Sequence, residues 1–438
     1  MSLKNAKQIL LLTLYFFHWS CEAQWDFSGT YALRYEYIKN SPRINASTTD
    51  RLLGSRLELV STYTADKSYW TLEVQDARVF LDDANSPLGT DDVNTLEPIQ
   101  AYWGYRWGAS QENDVKLGRF TLDLGNRRLF ARPRFRNTRN SFTGGYVRWK
   151  SDSTQIESLI AMPDNRFPRN FADLDANKVQ LDKNYPENLV WSIYLTRELT
   201  NKDLYELYYF GLKESDQDDV NTRNRRLHTF GGRLVQSFLS GFLHVESEGA
   251  YQLGRARASS KPEDLMDLDI NAWFGYVTLG HKFDDLWSSK VDIELNYASG
   301  DKDEEDDKFQ QFDPLFGVRR AEFNATNLYG FFARKNHKSV GILFRAKPSS
   351  ESSLSMSYRA LWLATADDSL PSLNLSNSSN EDFLGYQLEG RFRYQFNPTV
   401  MLETGGIYLA KGGFFDNADQ KVNSDNTVYL YSEVSLKF

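Results

Sequence analysis

The chain has 438 residues, and its 59 Asp and Glu outnumber its 51 Lys and Arg, giving a formal net charge of -8. This acidic balance argues against a nucleic-acid partner, and a single cysteine excludes a disulfide within the chain. Aromatic residues make up 14% of the sequence, yet after the N-terminal region no apolar run reaches the roughly 18 residues of a membrane-spanning helix. A soluble β-protein and an outer-membrane barrel remain as alternatives.

The first 23 residues have the pattern of a secretory signal peptide. A basic start precedes the apolar run ILLLTLYFF at 9–17, and CEA at 21–23 offers the small residues of a cleavage site. We expect cleavage before Gln24, so that residues 1–23 are removed and residues 24–438 form one domain. A lipoprotein anchor on Cys21 is the weaker alternative, because the residues before it poorly match such a site.

Alternation of apolar and polar residues with period two recurs along the chain and predicts β-strands. In LGYQLEGRFRYQF at 384–396, for example, one face is apolar or aromatic and the other is almost wholly polar. Eighteen strands are predicted, near residues 27–38, 52–64, 67–80, 100–107, 114–122, 142–151, 154–161, 188–198, 202–213, 227–239, 242–254, 269–281, 287–299, 338–347, 352–364, 381–396, 399–411 and 425–438.

The predicted connections alternate strictly between short turns and long loops. The long loops lie near residues 39–51, 81–99, 123–141, 162–187, 214–226, 255–268, 300–337, 365–380 and 412–424. This alternation and the even strand count predict an all-β, antiparallel transmembrane β-barrel of about 18 strands, with short periplasmic turns and long extracellular loops. TNLYGFFAR at 326–334 is assigned to a loop, because a nineteenth strand would break the even count. The clusters YWGYRW at 102–107 and NAWFGY at 271–276 suit interfacial aromatic girdles, although ordinary core packing explains either cluster equally well.

A run of arginines falls in the third long loop. GNRRLFARPRFRNTRN at 125–140 holds six arginines and no carboxylate. An eighteen-stranded lumen is wide enough for an aqueous channel, and an arginine-rich loop folded into it would attract anionic solutes. The candidate anion-binding residues in this stretch are Arg127, Arg128, Arg134, Arg136 and Arg139.

The predicted lumen face of the strands adds further arginines. These are Arg148, Arg345, Arg391 and Arg393. Acidic residues share that face, among them Glu58, Glu73, Asp292, Glu294 and Glu389. Mutual neutralisation is the favoured explanation for any single arginine on the wall, whereas the loop run, which has no acids of its own, favours ligand attraction. Whether the loop folds into the lumen or projects as a solvated face stays open at this point.

The remaining features point to no catalytic residue, no cofactor and no metal site. The acidic stretch DKDEEDD at 301–307 is interpreted as a solvated loop, with Ca2+ binding as the alternative, because it lacks the glycine and terminal glutamate of an EF-hand. The histidines have no metal-ligand spacing, and no nucleophile-elbow, Walker or dinucleotide motif is present. The sequence therefore does not predict an enzyme.

Two segments resemble the alginate-export family of outer-membrane proteins. The first runs from Lys116 to Trp149 and contains Gly118-Arg119, Arg128-Leu129 and an Asn-Thr-x-x-Ser-Phe-x-Gly run at 137–144. The second contains ASGD at 298–301 and FDPLFG at 312–317. The resemblance implies an eighteen-stranded barrel that carries the polyuronate alginate through an arginine-rich, electropositive pore. It also adds Arg119 to the candidate anion-binding residues.

Together these observations predict a passive outer-membrane channel for anionic saccharides, with alginate-like polyuronate as the leading candidate. Its expected partners are an anionic oligo- or polysaccharide, outer-membrane lipid and the barrel-assembly machinery. A general porin for small organic anions or oligosaccharides is the first alternative. A barrel without a channel, acting as an enzyme or an adhesion scaffold, is the second.

Overall fold

The computed structural model describes residues 24–200, 203–319, 322–323 and 325–438. The expected signal peptide lies outside these described residues. Nineteen strands are present in this part of the chain, and all but the two-residue β14 form the wall of a barrel. They are β1 Gln24–Lys39, β2 Thr49–Ala65, β3 Ser68–Phe80, β4 Asn94–Trp107, β5 Asn113–Phe120, β6 Phe142–Ser151, β7 Thr154–Pro163, β8 Leu189–Glu198, β9 Leu204–Lys213, β10 Arg226–Phe238, β11 Leu243–Ala256, β12 Leu268–Lys282, β13 Lys290–Ala298, β14 Lys308–Phe309, β15 His337–Ala346, β16 Ser352–Trp362, β17 Phe383–Gln395, β18 Val400–Lys411 and β19 Thr427–Lys437.

The wall closes on itself through antiparallel pairs. Each wall strand pairs with the next along the chain, β13 pairs with β15, and β1 pairs with β19 from Thr30↔Lys437 to Lys39↔Val428. Closure leaves no open sheet edge, which is the requirement for strands that cross a membrane. The eighteen-stranded antiparallel barrel predicted from the alternation is thus confirmed. The segment at 326–334 is not a strand, also as predicted.

Residue burial separates the two faces of the wall. In β1, Leu33 and Tyr35 are 39% and 41% exposed, whereas Arg34 and Glu36 are 2% and 0% exposed. The exposed face is apolar and the buried face is charged, which is the reverse of a soluble sandwich. The apolar face therefore meets lipid, and the charged face lines the lumen.

The largest difference from the predicted strand bounds is at β4, which begins at Asn94 rather than near 100. Pro98 lies inside this strand and pairs with Val74, next to a register shift between Glu73 and Val74. Proline has no N–H for the ladder and is confined to edges and bulges, so it conceals a strand from pattern analysis. The bulge lets β4 continue past the proline.

Aromatic side chains gather on the outer surface at the short-turn end. Trp25 packs on Tyr63 with ring centroids 5.0 Å apart, Tyr63 packs on Trp70 at 5.7 Å, and Trp103 stacks on Tyr105 at 6.3 Å. This belt includes part of the predicted YWGYRW cluster. Amphipathic rings at this level suit the membrane interface.

Helical structure is short and confined to the connections. Helix α1 spans Phe171–Asp175, α2 spans Gly413–Asp416, and a 3-10 turn spans Leu239–Gly241. No helix in the described part of the chain has the length and apolar character needed to cross a membrane.

Candidate functional site

The loop between β5 and β6, residues 121–141, crosses the lumen; we call it the arginine loop. At one side, Arg139 Nε lies 2.7 Å from Glu58 Oε1 on β2. At the other side, Arg128 NH1 lies 2.8 Å from Glu246 Oε1 on β11. Strands β2 and β11 face each other across the barrel, so this loop folds inward rather than projecting into solvent.

A second loop, residues 299–336 between β13 and β15, meets the arginine loop inside the barrel. Phe316 N donates to Leu129 O at 2.9 Å, and Val318 N donates to Arg127 O at 3.0 Å. A Cβ on Gly317 would lie 1.8 Å from the carbonyl oxygen of Arg128, so only glycine permits this approach. The two loops together form a constriction across the lumen.

Aromatic packing stabilises the contact between the two loops. The ring of Phe130 lies 4.6 Å from Phe142, 5.1 Å from Phe316 and 5.6 Å from Phe210 on β9. All four are large apolar side chains held inside a charged lumen, and Phe130 and Phe142 are completely buried. This cluster fixes the constriction against the β6–β9 wall.

Three arginines of the loop find carboxylates on the wall or on the second loop. Arg128 contacts Glu246, Glu248 and Glu322, with the last two at 2.5 Å. Burial lowers the pKa of the Arg128 guanidinium, but the carboxylates of Glu248 and Glu246 outweigh burial and raise it overall. The stretch 125–140 contains no Asp or Glu, so the carboxylates that neutralise its arginines come from other parts of the barrel.

Arg132 and Arg139 bind a second set of wall carboxylates. Arg132 NH2 lies 2.9 Å from Glu58 Oε1 and 2.6 Å from Glu73 Oε1, and Arg139 binds the same Glu58. Burial, followed by the nearby Arg56, lowers the pKa of Arg139 to about 9, so this guanidinium stays charged at neutral pH. These two arginines anchor the loop to β2 and β3.

A cavity of about 360 Å³ lies between the two loops at the long-loop end of the barrel. Its lining among the described residues includes eight basic side chains and four carboxylates. The basic residues are Arg134, Arg136, Arg166, Arg169, Arg225, Arg319, Arg334 and Lys335. The acidic residues are Asp91, Asp164, Glu214 and Asp313. We call this space the basic cavity.

The carboxylates that line the basic cavity already form ion pairs with nearby arginines. Arg136 and Arg166 share Asp91 at 3.0 and 2.9 Å, and Asp164 is 2.7 Å from Arg119 Nε at the end of β5. Burial, followed by Arg166, lowers the pKa of Arg136 to about 9, which again leaves it charged at neutral pH. The acids that line the cavity therefore neutralise arginines that are already beside them.

Three of the basic residues that line the cavity have few or no polar partners among the described residues. Arg134 has a guanidinium that is 72% exposed and only a 3.2 Å contact with Asp123. Arg169 donates to the amide oxygen of Asn165 at 3.0 Å. Lys335 makes neither a hydrogen bond nor an ion pair with any residue that the structure describes. Free positive charge in a partly enclosed cavity attracts anions, because low-dielectric walls focus the field.

The comparisons with known proteins agree with this architecture. Residues 23–429 match the family model described as alginate export. The chain belongs to the alginate export family. None of the curated protein sequences matches it.

Solved structures of porins share the fold at low sequence identity. A BenF-like porin from Pseudomonas fluorescens Pf-5 aligns with TM-score 0.60 and 11% identity, over 94% of this chain and 99% of that chain. The outer membrane protein OpdK from Pseudomonas aeruginosa aligns with TM-score 0.58 and 11% identity, over 94% of this chain and 99% of that chain. OccK2 (OpdF) from the same organism, solved with glucuronate, aligns with TM-score 0.59 and 10% identity, over 94% of this chain and 96% of that chain. This member of the alginate export family is an outer-membrane β-barrel of the channel type.

The structure shows what the two segments that resemble the family do in this chain. Gly118 adopts a φ of +130°, and a Cβ there would lie 2.4 Å from the carbonyl oxygen of Ala101, so the position requires glycine. Arg119 next to it binds Asp164 and Glu97 and lies 3.4 Å from Asp182. This pair ties β5 to the loop 164–188. FDPLFG supplies Phe316 and Gly317 of the loop contact.

The candidate residues do not form one site. Arg119, Arg128 and Arg139 are held in ion pairs, Arg134 and Arg136 line the basic cavity, and the half-buried Arg127 has no ion partner among the described residues. Four others lie in the half of the lumen nearer the short turns: Arg148, Arg345, Arg391 and Arg393. Arg345 lies 3.2 Å from Asp292, and Arg393 pairs with Glu403. Arg148 lies between Asp114 and Glu157 in the strand register.

The sequence pattern does not reveal most of the basic cavity. Arg166 and Arg169 come from the loop 164–188, Arg225 from the loop 214–225, and Arg334 and Lys335 from the 299–336 loop. These residues are single cations in ordinary loop sequence, and only the inward folding of the loops brings them together. Among the described residues, which include the acidic stretch 301–307, no group of three or more His, Cys, Asp or Glu side chains is arranged to hold a metal ion.

Proposed function

We propose that the barrel passes anionic saccharides across the outer membrane, with alginate-like polyuronate as the first candidate. The observation that carries the proposal is the basic cavity, where Arg134 is 72% exposed with one 3.2 Å ion contact, and Arg169 and Lys335 have no ion pair with a described residue. The chain as a whole has a net charge of -8. Family membership supports a uronate, since alginate is a polymer of uronic acids.

The lining of the cavity suits a carboxylated ring. Its lining includes the guanidinium groups of Arg134 and Arg136 and the partly exposed apolar side chains of Leu315 and Phe316. Arginine binds carboxylates through paired N–H donors, and the apolar face of a sugar ring packs against aromatic surface. Its volume of about 360 Å³ falls near the lower end of the roughly 300–1,000 Å³ of small-molecule sites.

A general porin for small organic anions is the second candidate. The same mixture of cations and apolar side chains accommodates an aromatic carboxylate. The structural neighbours include OpdK solved with vanillate as well as OccK2 solved with glucuronate. Both alternatives require an anion-selective channel.

The test uses the purified protein in planar bilayers. We expect current steps that favour anions, and block by oligouronates that grows with their charge, while neutral oligosaccharides of equal length do not block. Equal block by charged and neutral sugars would overturn the uronate assignment. Stronger block by benzoate-type anions than by uronates would favour the general porin, and absence of any current step would leave a barrel without a channel.

A further inference from the structure

The lipid-facing surface carries a row of cations at the long-loop end of β9, β10 and β11. Arg226 pairs with Lys213 on one side and with Arg255 on the other, so the three residues are direct cross-strand neighbours. All three are exposed on the outer face of the wall. Neighbouring strands are about 4.8 Å apart, which places these charges close enough to share one anion.

Like charges directly opposite each other destabilise a sheet unless another charge offsets them. Arg255 has an exposed partner, Asp269 on β12, at 3.0 Å. Lys213 and Arg226 make no ion pair or hydrogen bond through their side chains with any described residue. The fold alone thus gives no reason to align these cations, whereas an external anion would stabilise them.

A groove opens on the same three-strand surface, deeper in the membrane. Gly232, Gly249 and Gly275 lie side by side on β10, β11 and β12, in register and facing outward. They contribute to a cavity of about 970 Å³ that also contacts apolar side chains such as Leu234 and Val277. Bare backbone between larger apolar residues leaves room for a hydrocarbon chain.

The distance between the two features fits one lipid molecule. Gly232 follows Arg226 by six residues, which is about 20 Å along a strand and about 15 Å in depth at the usual tilt. Exposed cations at the long-loop ends of the strands belong at the headgroup level, and a groove about 15 Å deeper then lies near the middle of a hydrocarbon layer about 30 Å thick.

We propose that this surface, the row Lys213–Arg226–Arg255 with the glycine groove below it, binds one acylated, phosphate-bearing lipid of the leaflet at the long-loop end. The phosphate accepts hydrogen bonds from the cations, as phosphates do from arginine and lysine. An acyl chain lies in the groove. The site is on the outside of the wall and is independent of the solute that passes through the lumen.

The experiment measures lipid binding by native mass spectrometry of the detergent-purified full chain. The probe is bisphosphorylated lipid A, compared with the same lipid after removal of both phosphates. The variant Lys213→Gln/Arg226→Gln should weaken binding of the phosphorylated lipid by up to about 30-fold, at roughly fivefold for each cation near the membrane surface. The dephosphorylated lipid should bind the parent protein at least as weakly as the phosphorylated lipid binds the variant, which keeps Arg255.

The matched control is Lys39→Gln/Arg51→Gln, which removes two exposed cations from the outer face of β1 and β2 at the same end of the barrel. It should leave binding unchanged. Equal loss in both double variants, or loss in neither, would overturn the site. Full displacement of the lipid by millimolar inorganic phosphate would mean a site for a free anion, which also overturns the proposal.

Gly249→Leu tests the groove separately. A Cβ at Gly249 meets only the carbonyl oxygen of Phe274, at 3.6 Å, so the first side-chain atom fits without a backbone shift. We expect weaker binding of both lipids, because the leucine occupies the space of the acyl chain. Unchanged binding would overturn the role of the groove. Heat-modifiable electrophoretic mobility of each variant confirms that the barrel is closed.

Discussion

The arginine loop uses the same residue type for two purposes. Arg128, one of its two anchors, is 3% exposed and surrounded by three carboxylates, whereas Arg134, between the anchors Arg128 and Arg139, keeps 72% of its side chain in solvent. A buried guanidinium with satisfied partners holds the loop in place, and an exposed guanidinium in a cavity is available to a solute. An arginine-rich loop is therefore part scaffold and part binding surface.

The largest expected effect comes from Arg128→Met. The variant leaves Glu246, Glu248 and Glu322 together without their cation, and removal of one partner from a buried ion pair costs about 3–5 kcal/mol. We expect a lower thermal unfolding temperature and a higher, noisier single-channel conductance, because the constriction detaches from β11. Differential scanning calorimetry and bilayer recordings measure the two effects.

The matched control for this variant is Arg127→Met. Arg127 is adjacent in sequence but has no ion partner among the described residues, so the expected change in stability is within about 0.5 kcal/mol. Similar losses in the two variants would mean that the ion pairs of Arg128 do not hold the loop.

The strands were predictable from the sequence because one face of each meets lipid, which imposes alternation on every wall segment. The start of β4 was not predictable, because Pro98 interrupts the alternation and a bulge lets the strand continue past it. The arginine loop was placed correctly between its two strands, but the carboxylates that pair with its arginines were not predicted. Glu58 and Glu246 are separated from their arginines by 81 and 118 residues, and only barrel closure brings them near.

A smaller effect is expected from Glu322→Gln. Glu322 binds Arg128 at 2.5 Å and also contacts Arg334, so it links the arginine loop to the 299–336 loop. The glutamine keeps its shape and one acceptor but loses its charge, and the cost of a charged hydrogen bond is about 1.5–3 kcal/mol.

We expect brief conductance fluctuations as the two loops separate and rejoin, with unfolding less affected than in Arg128→Met. Glu322→Asp, which restores the charge on a shorter side chain, should recover part of the steady current. A steady, parental current in Glu322→Gln would show that the backbone bonds at Phe316 and Val318 suffice to join the loops.

The next variant, Arg134→Gln/Arg169→Gln/Lys335→Gln, replaces the exposed or weakly paired cations of the basic cavity. It should change ion selectivity with little effect on stability. These residues hold the spare positive charge of the basic cavity, so anion-over-cation selectivity and oligouronate block should both fall. The difference should shrink at about 1 M salt, where the screening length is about 3 Å. Reversal potentials in a salt gradient provide the measurement.

An unchanged reversal potential in this triple variant would mean that the three cations face bulk solvent rather than the conduction path. A large loss of stability would place them among the scaffold arginines instead. Either result would remove the distinction between the anchoring arginines and the cations available to a solute.

The smallest effect is expected in the half of the lumen nearer the short turns, with Arg148→Gln/Arg345→Gln/Arg393→Gln. Arg345 and Arg393 face carboxylates of Asp292 and Glu403, and Arg148 lies between two acidic neighbours in the register. Each cation is thus offset locally by a wall acid, and its field at the centre of the lumen is weak. This variant removes as many charges as the cavity triple. It should nevertheless shift the reversal potential by less than half as much and leave oligouronate block unchanged. An equal shift in the two triples would mean that selectivity follows the total charge of the lumen rather than the exposed or weakly paired cations of the basic cavity.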